Sequence, residues 1–334
     1  MGVITQWPED QLCLSDSERA AAVEAVEKAF ASTLESLKID IGLVEMFESL
    51  YVPLGAWVAR RQQQHEQQPL VVGINGAQGA GKSTLFNLLD VILTEGFGLR
   101  VVGFSIDDLY KTHAERQTLG ENVHPLLATR GVPGTHDVQL GIDIIESIRR
   151  ADESTVTKIP VFDKSTDDRC SPSVWQEWVG GADVIVFEGW CVGAKPQDAA
   201  MLKKPMNELE EQEDADGAWR AFVNEQLSAE YTTLFDMIDV LLMLKVPSMD
   251  AVFEWRSLQE KKLAERVKYV YDTQQPTDHL RIMDEAQIKR FIQHYERLTR
   301  EMLDEMPSRA DVTMFLNEHH KISQIKVNNP IQSA

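Results

Sequence analysis

Residues 69–83 read Pro-Leu-Val-Val-Gly-Ile-Asn-Gly-Ala-Gln-Gly-Ala-Gly-Lys-Ser, and the fold turns on how this stretch is understood. Positions 69–75 are a continuous apolar run of strand length, the pattern of a strand buried on both faces of a parallel sheet. Gly76 to Ser83 complete the spacing G-x-x-x-x-G-K-[ST], and an apolar segment with helical spacing follows directly. Each residue type has a physical reason to be there. The glycines Gly76, Gly79 and Gly81 let the backbone bend tightly and turn its N–H groups inward. A helix starting at Lys82 adds the positive end of its dipole. The Lys82 ammonium neutralises terminal phosphate oxygens, and the Ser83 hydroxyl is suited to a Mg²⁺ ligand. Gly76, Ala77, Gln78, Gly79, Ala80, Gly81, Lys82, Ser83 and Thr84 are therefore expected to hold ATP with Mg²⁺.

Outward from this loop, strands are expected at 99–106, 183–187, 240–246 and 311–316. Helical spacing falls at 82–93, 138–150, 218–237, 248–267 and 284–306. Strands alternating with helices imply βαβ units. The expected fold is an α/β P-loop NTPase fold, a mostly parallel five-stranded sheet with helices on both faces. Upstream, 17–31 and 44–61 read as helices, and the Gln-rich 62–68 as a linker or helix end. The expected organisation is an N-terminal helical segment, 1–66, packed on a kinase domain, 67–330. Substrate and lid insertions are expected around 111–180 and 191–235. Residues 208–216 hold six acids and read as a solvated surface excursion.

Composition narrows the class. Of 334 residues, 43% are apolar and 26% charged, which excludes a disordered or collagen-like chain. The net charge of −20, from 33 basic and 53 acidic residues, argues against nucleic acid and anionic membrane surfaces as partners. It leaves room for a small anionic ligand at a locally positive site. No apolar run approaches the roughly 20 residues of a membrane span, and no secretory signal pattern is present at the N-terminus. Cys13, Cys170 and Cys191 form no CxxC, so reduced thiols and a cytoplasmic location are expected.

A phosphate-binding loop alone names no reaction. The base-reading N-K-x-D of GTPases is absent, and the D-x-x-G at Asp214–Gly217 follows no strand. In parallel sheets ligands sit beyond the carboxyl ends of strands. The second strand ends in Ser105-Ile-Asp107-Asp108-Leu-Tyr110, and the third in Phe187-Glu188-Gly189-Trp190. Phosphoryl transfer to an alcohol needs one carboxylate to orient or deprotonate the hydroxyl and one to hold Mg²⁺. Asp107 suits the first role and Glu188 the second, with Asp108 expected to cap a helix.

The set strand–GxxxxGKS–helix, S-x-D-D-x-Y, and a later strand ending Glu188-Gly189 resembles the phosphoribulokinase, uridine kinase and pantothenate kinase group. Further elements narrow it. These are Gly134-Thr-His136-Asp137, Phe162-Asp-Lys164-Ser, the run from Phe187 to Pro196, and Phe253-Glu-Trp-Arg256-Ser-Leu-Gln-Glu260 on a later helix. Taken together and in order, they resemble the D-glycerate 3-kinase family over roughly residues 70 to 320.

The resemblance implies ATP-dependent phosphorylation of the terminal hydroxyl of D-glycerate, giving 3-phosphoglycerate and ADP. It implies Asp107 as the base, Glu188 and Ser83 at the metal, and Lys82 and Arg256 on the transferring phosphate, Arg256 from a helical lid. A carboxylate substrate asks for basic donors. Arg130, His136, Lys164, Arg169 and Lys195 lie in the matching segments, with Tyr110 closing the S-x-D-D-x-Y element beside them. The alternatives are the same chemistry on another small acceptor (a nucleoside, pantothenate or a phosphosugar) or a non-catalytic ATP-binding switch.

Overall fold

The computed structural model describes residues 5–37, 41–66, 69–258, 261 and 283–330. Its strands, in chain order, begin with β1 (Leu70–Gly76), β2 (Val101–Ser105), β3 (Val156–Ile159), β4 (Phe162–Asp163) and β5 (Asp168–Arg169). They continue with β6 (Gln176–Val179), β7 (Val184–Gly189), β8 (Val240–Lys245), β9 (Val312–Leu316) and β10 (Ile322–Val327). The helices are α1 (Asp16–Leu37), α2 (Val52–Gln64), α3 (Lys82–Val91), α4 (His113–Asn122) and α5 (Val138–Arg149). After them come α6 (Glu208–Glu213), α7 (Ala218–Ser228), α8 (Glu230–Phe235), α9 over the described residues 249–258, and α10 (Glu285–Glu305).

The main sheet runs β10-β9-β8-β1-β7-β2. Every neighbouring pair is parallel except β10, which returns antiparallel to β9. All five strands expected from the sequence are present, and β10 makes a sixth. β1 is buried at every position, as its unbroken apolar run requires at the centre of a sheet covered on both sides. Its side chains alternate between two cores. Val72 and Ile74 face one cluster with Val26, Trp57, Leu88 and Trp255, from α1, α2, α3 and α9. Val71 faces the other, with Ile145, Leu234 and Leu298 from α5, α8 and α10. The helices therefore cover both faces, and the N-terminal α1 and α2 share a core with the sheet.

Local chemistry sets the element ends. Ser15 and Glu18 cap the start of α1 reciprocally, and Thr112 with Glu115 does the same for α4. Asp137 caps α5, as its place before the apolar run anticipates. The expected helix 218–237 is two helices, since Ala229 leaves the helical region at φ −106°, ψ −109°. The expected helix 248–267 is described only in part, and residues 259, 260 and 262–267 lie outside the described residues.

The acidic stretch 208–216 departs from its sequence reading as a solvated excursion. Glu210 and Asp214 are buried. Arg297 of α10 approaches Glu210 at 2.6 Å, and Arg220 of α7 approaches Asp214 at 2.7 Å. Buried carboxylates of this kind persist because they are paired. Glu208 and Glu213 add outer pairs to Lys289 and Arg290, so the stretch fastens α6 to α10. Among the described residues, no helix is long and apolar enough to cross a membrane.

Candidate active site

Three strands end at one level. Glu188 of β7 stands in register with Ile74 of β1 on one side and Ser105 of β2 on the other. The turn after β1, residues 77–81, enters α3 through Gly81 at φ 96°. That left-handed value favours a residue without a Cβ. It leaves the N-terminus of α3 with no side-chain cap, so its first N–H groups remain for a ligand. Lys82 Nζ donates to the Ala77 carbonyl at 3.3 Å. Burial pulls the Lys82 ammonium below its ordinary pKa, against the upward pull of Glu188 and Asp107.

Ser83 Oγ donates to Glu188 Oε1 at 2.9 Å. A hydroxyl and a carboxylate held side by side are hard oxygen donors. They fit Mg²⁺, which takes one or two protein ligands and completes its shell with water and phosphate oxygens.

Beyond β2 the chain makes a single turn, residues 106–109. Asp108 is used structurally. Its carboxylate accepts from the backbone N–H groups of Ser105 and Phe162, both at 3.3 Å, and burial raises its pKa. Asp107 accepts instead from Tyr110 Oη at 2.9 Å and Lys164 Nζ at 2.7 Å. Burial pushes the Asp107 carboxyl up, but Lys164, then Lys82 and the Tyr110 hydroxyl, hold it below its ordinary value. It is a carboxylate at neutral pH.

Lys164 stands on the tip between β4 and β5, a small antiparallel ribbon in which Phe162 pairs with Arg169. The other end of that tip is Asp167, at φ 57°. Asp167 pairs with Arg130 and with Arg116 at 3.1 Å. Arg116 is fully buried, and it also donates to the carbonyls of Lys111 and Ala128. Both guanidinium groups lie beside the Phe162 ring, at 5.8 Å for Arg116 and 5.5 Å for Arg130. The Phe162 ring in turn meets the Tyr110 ring edge-on at 5.1 Å. The backbone carrying Arg130 is held from behind: Tyr295 Oη donates to the Arg130 carbonyl at 3.2 Å, and Trp190 Nε1 to that of Gly131 at 2.9 Å. A Cβ on Gly131 would lie 2.1 Å from Tyr295 Oη, so the loop passes there only as glycine.

The residues singled out from the sequence are thus dispersed over several roles. Lys82, Ser83, Glu188, Asp107, Tyr110 and Lys164 form one connected group. Arg130 joins it through the ribbon tip. Arg169 braces its neighbours: Nε and Nη2 donate to the Tyr110 carbonyl at 3.1 and 3.0 Å, and Nη1 to Asp137 at 3.2 Å. His136 is packed inside the protein. It is buried behind Tyr110, its ring stacked on that tyrosine at 4.6 Å and its Nδ1 2.6 Å from Tyr231 Oη. Burial lowers its pKa to about 3, so it is neutral. Lys195 is exposed and has no hydrogen-bond or ion-pair partner among the described residues. Arg256 lies over the Phe291 ring at 5.2 Å, against α10. Arg116 had no place in the sequence reading of the site, and Phe162 and Asp167 entered it only as members of the segment 160–169. The Thr112–Glu115 capping pair was the one local signal that a helix, and with it Arg116, is set here.

No family model matches the chain. Curated relatives do. It is 35% identical over 242 residues to the "Uncharacterized kinase mug58" of Schizosaccharomyces pombe, covering 70% of this chain and 81% of that one. It is 30% identical over 239 residues to the chloroplastic D-glycerate 3-kinase of Arabidopsis thaliana, covering 67% of this chain but only 50% of that enzyme. Among solved structures, the D-glycerate 3-kinase of Cryptococcus neoformans superposes with a TM-score of 0.66 at 26% identity, over 83% of this chain and 96% of the other. Relatedness over this extent, together with the strand order and the loop that carries Lys82, places the molecule: it is a small-molecule kinase and belongs to the D-glycerate 3-kinase family of P-loop kinases.

Proposed function

We propose that this kinase transfers the terminal phosphoryl group of ATP to the 3-hydroxyl of D-glycerate, giving 3-phosphoglycerate and ADP. The observation that carries the reading is the Asp107 carboxylate, held by Tyr110 and Lys164 at 2.9 and 2.7 Å beside the loop that bears Lys82. The relatives named D-glycerate 3-kinase support the choice of acceptor.

In this reading the N–H groups of 77–84 wrap the ATP phosphates, and Ser83 and Glu188 hold Mg²⁺. The metal would supply charge neutralisation on the phosphate oxygens. Arg130 and Lys164 receive the glycerate carboxylate. As Lys164 swings from Asp107 to the substrate, Asp107 is released to accept the hydroxyl proton while the oxygen attacks in line. Little covalent work is asked of the protein; orientation and charge stabilisation dominate. Lys82 stabilises the transferring group, with Arg256 brought over it on closure. The three cysteines are free thiols, which suits a cytoplasmic location.

The test is ADP release from MgATP with D-glycerate, L-glycerate, uridine, pantothenate and ribulose 5-phosphate, against a control without acceptor. Stimulation by D-glycerate alone is expected. Stimulation by another member would replace the acceptor and keep the chemistry. A flat panel beside tight ATP binding would overturn D-glycerate as the acceptor and point to an acceptor outside the panel or to a non-catalytic ATP-binding switch.

A further inference from the structure

Two guanidinium groups, of Arg116 and Arg130, meet one carboxylate, Asp167. Asp167 belongs to the same short tip whose other end, Lys164, touches Asp107. One short tip therefore touches both the reacting end of the site, through Lys164, and Arg130, through Asp167. Arg116 is fully buried and uses its N–H groups on Asp167 and on backbone carbonyls. Arg130 differs. Its side chain keeps 28% of its surface exposed, and only its Nη1 donates to a partner among the described residues. It is the member of the cluster able to take a further anion.

We propose that Asp167 is the specificity-determining residue of the acceptor site. By sharing its single charge between Arg116 and Arg130, it leaves Arg130 able to bind a carboxylate monoanion but a poor receptor for a phosphate dianion. Asp168, next along the tip, turns its carboxylate to the backbone N–H groups of His113 and Arg169 instead, and Asp137 is paired with Arg169. The consequence is discrimination against small acceptors that carry a phosphate dianion where D-glycerate carries its carboxylate. This inference rests on the proposed acceptor.

The experiment uses the whole protein and the Asp167→Asn variant. Asparagine tolerates the left-handed backbone at this position and removes only the charge. At pH 8, where a phosphate monoester is a dianion, the KM for D-glycerate and the competitive inhibition constant of glycerol 1-phosphate are measured on both proteins. The ratio of inhibition constant to KM should fall about tenfold in the variant, a screened short-range charge effect. The KM for ATP should not move. Asp168→Asn, whose carboxylate serves backbone N–H groups, should leave the ratio unchanged. An unchanged ratio in Asp167→Asn, with normal wild-type turnover, overturns the role of Asp167 alone. Absence of wild-type turnover on D-glycerate overturns the acceptor reading and takes this inference with it. Should Asp167→Asn fail to fold, Arg130→Gln, which spares the Asp167–Arg116 pair, decides. It should raise the KM for D-glycerate about tenfold and abolish inhibition by the ester, and an unmoved KM overturns the proposal.

Discussion

The two halves of this site are built on opposite principles. The nucleotide half is contiguous: β1, the turn 77–81 and the first turn of α3 offer backbone N–H groups whose direction is set by the path of the chain. The acceptor half is assembled from side chains that answer one another across distance: Lys164 with Asp107, Arg130 with Asp167, Arg169 with Asp137. A backbone cradle is ready before its ligand arrives, whereas in the proposed mechanism Lys164 must leave Asp107 when the acceptor binds. Under the proposed function, that difference assigns phosphate binding to the backbone half and the choice of acceptor to the side-chain half.

Substitutions should separate the halves. Lys82→Ala, on the nucleotide side, is expected to lower kcat by about 10³, because a buried charge on the transferring phosphate is lost. A loss below about tenfold would remove Lys82 from that role. Asp107→Asn, at the boundary, should lower kcat by about 10² with ATP binding retained, as calorimetry with a non-hydrolysable analogue would read. Arg169→Gln, on the acceptor side, should raise the acceptor KM by roughly tenfold and leave the ATP KM alone, since it loosens Tyr110 and Asp137 but not the loop. Equal shifts in both constants would break the division between the halves.

The smallest effect concerns pH. His136 is held neutral, its pKa lowered from 6.5 to about 3 by burial, and His294 is lowered to about 4 for the same reason. Between those values and 6.5 the unfolded chain binds more protons than the folded one, so these groups cost stability as pH falls through the window. Asp90 and Asp108, raised by burial, act in the opposite sense. The melting temperature should therefore drop less between about pH 7 and 5 in His136→Asn than in the wild type. Parallel curves would show that His136 is not the group that titrates.

What could be read in the sequence follows the same division. The loop, the strand ends carrying Asp107 and Glu188, and the five parallel strands of the main sheet are written in short windows of sequence. β10 was not legible, because an edge strand exposed on several positions shows no clean apolar alternation. The role of Asp167 depends on Arg130 and Arg116, which stand 37 and 51 positions away, and no window contains that pairing. Residues 208–216 misled for a related reason. Their charge argues for water, while the arginine that pairs with the buried Glu210 lies 87 positions downstream.

The place of β1 in the sheet also bears on how the molecule comes into being. β1 is flanked by β7, where Leu70 meets Val184, and by β8, where Val72 meets Val240. A chain leaving the ribosome has made the whole nucleotide loop by residue 84, yet the strand that aims it has no neighbour until 184 has emerged and no second one until 240. Contacts this remote are slow to form, and domains of this size fold through intermediates. ATP is consequently a ligand of the finished fold, which it stabilises by binding it, while of the neighbours of β1 only α1 and α2 have been made before it.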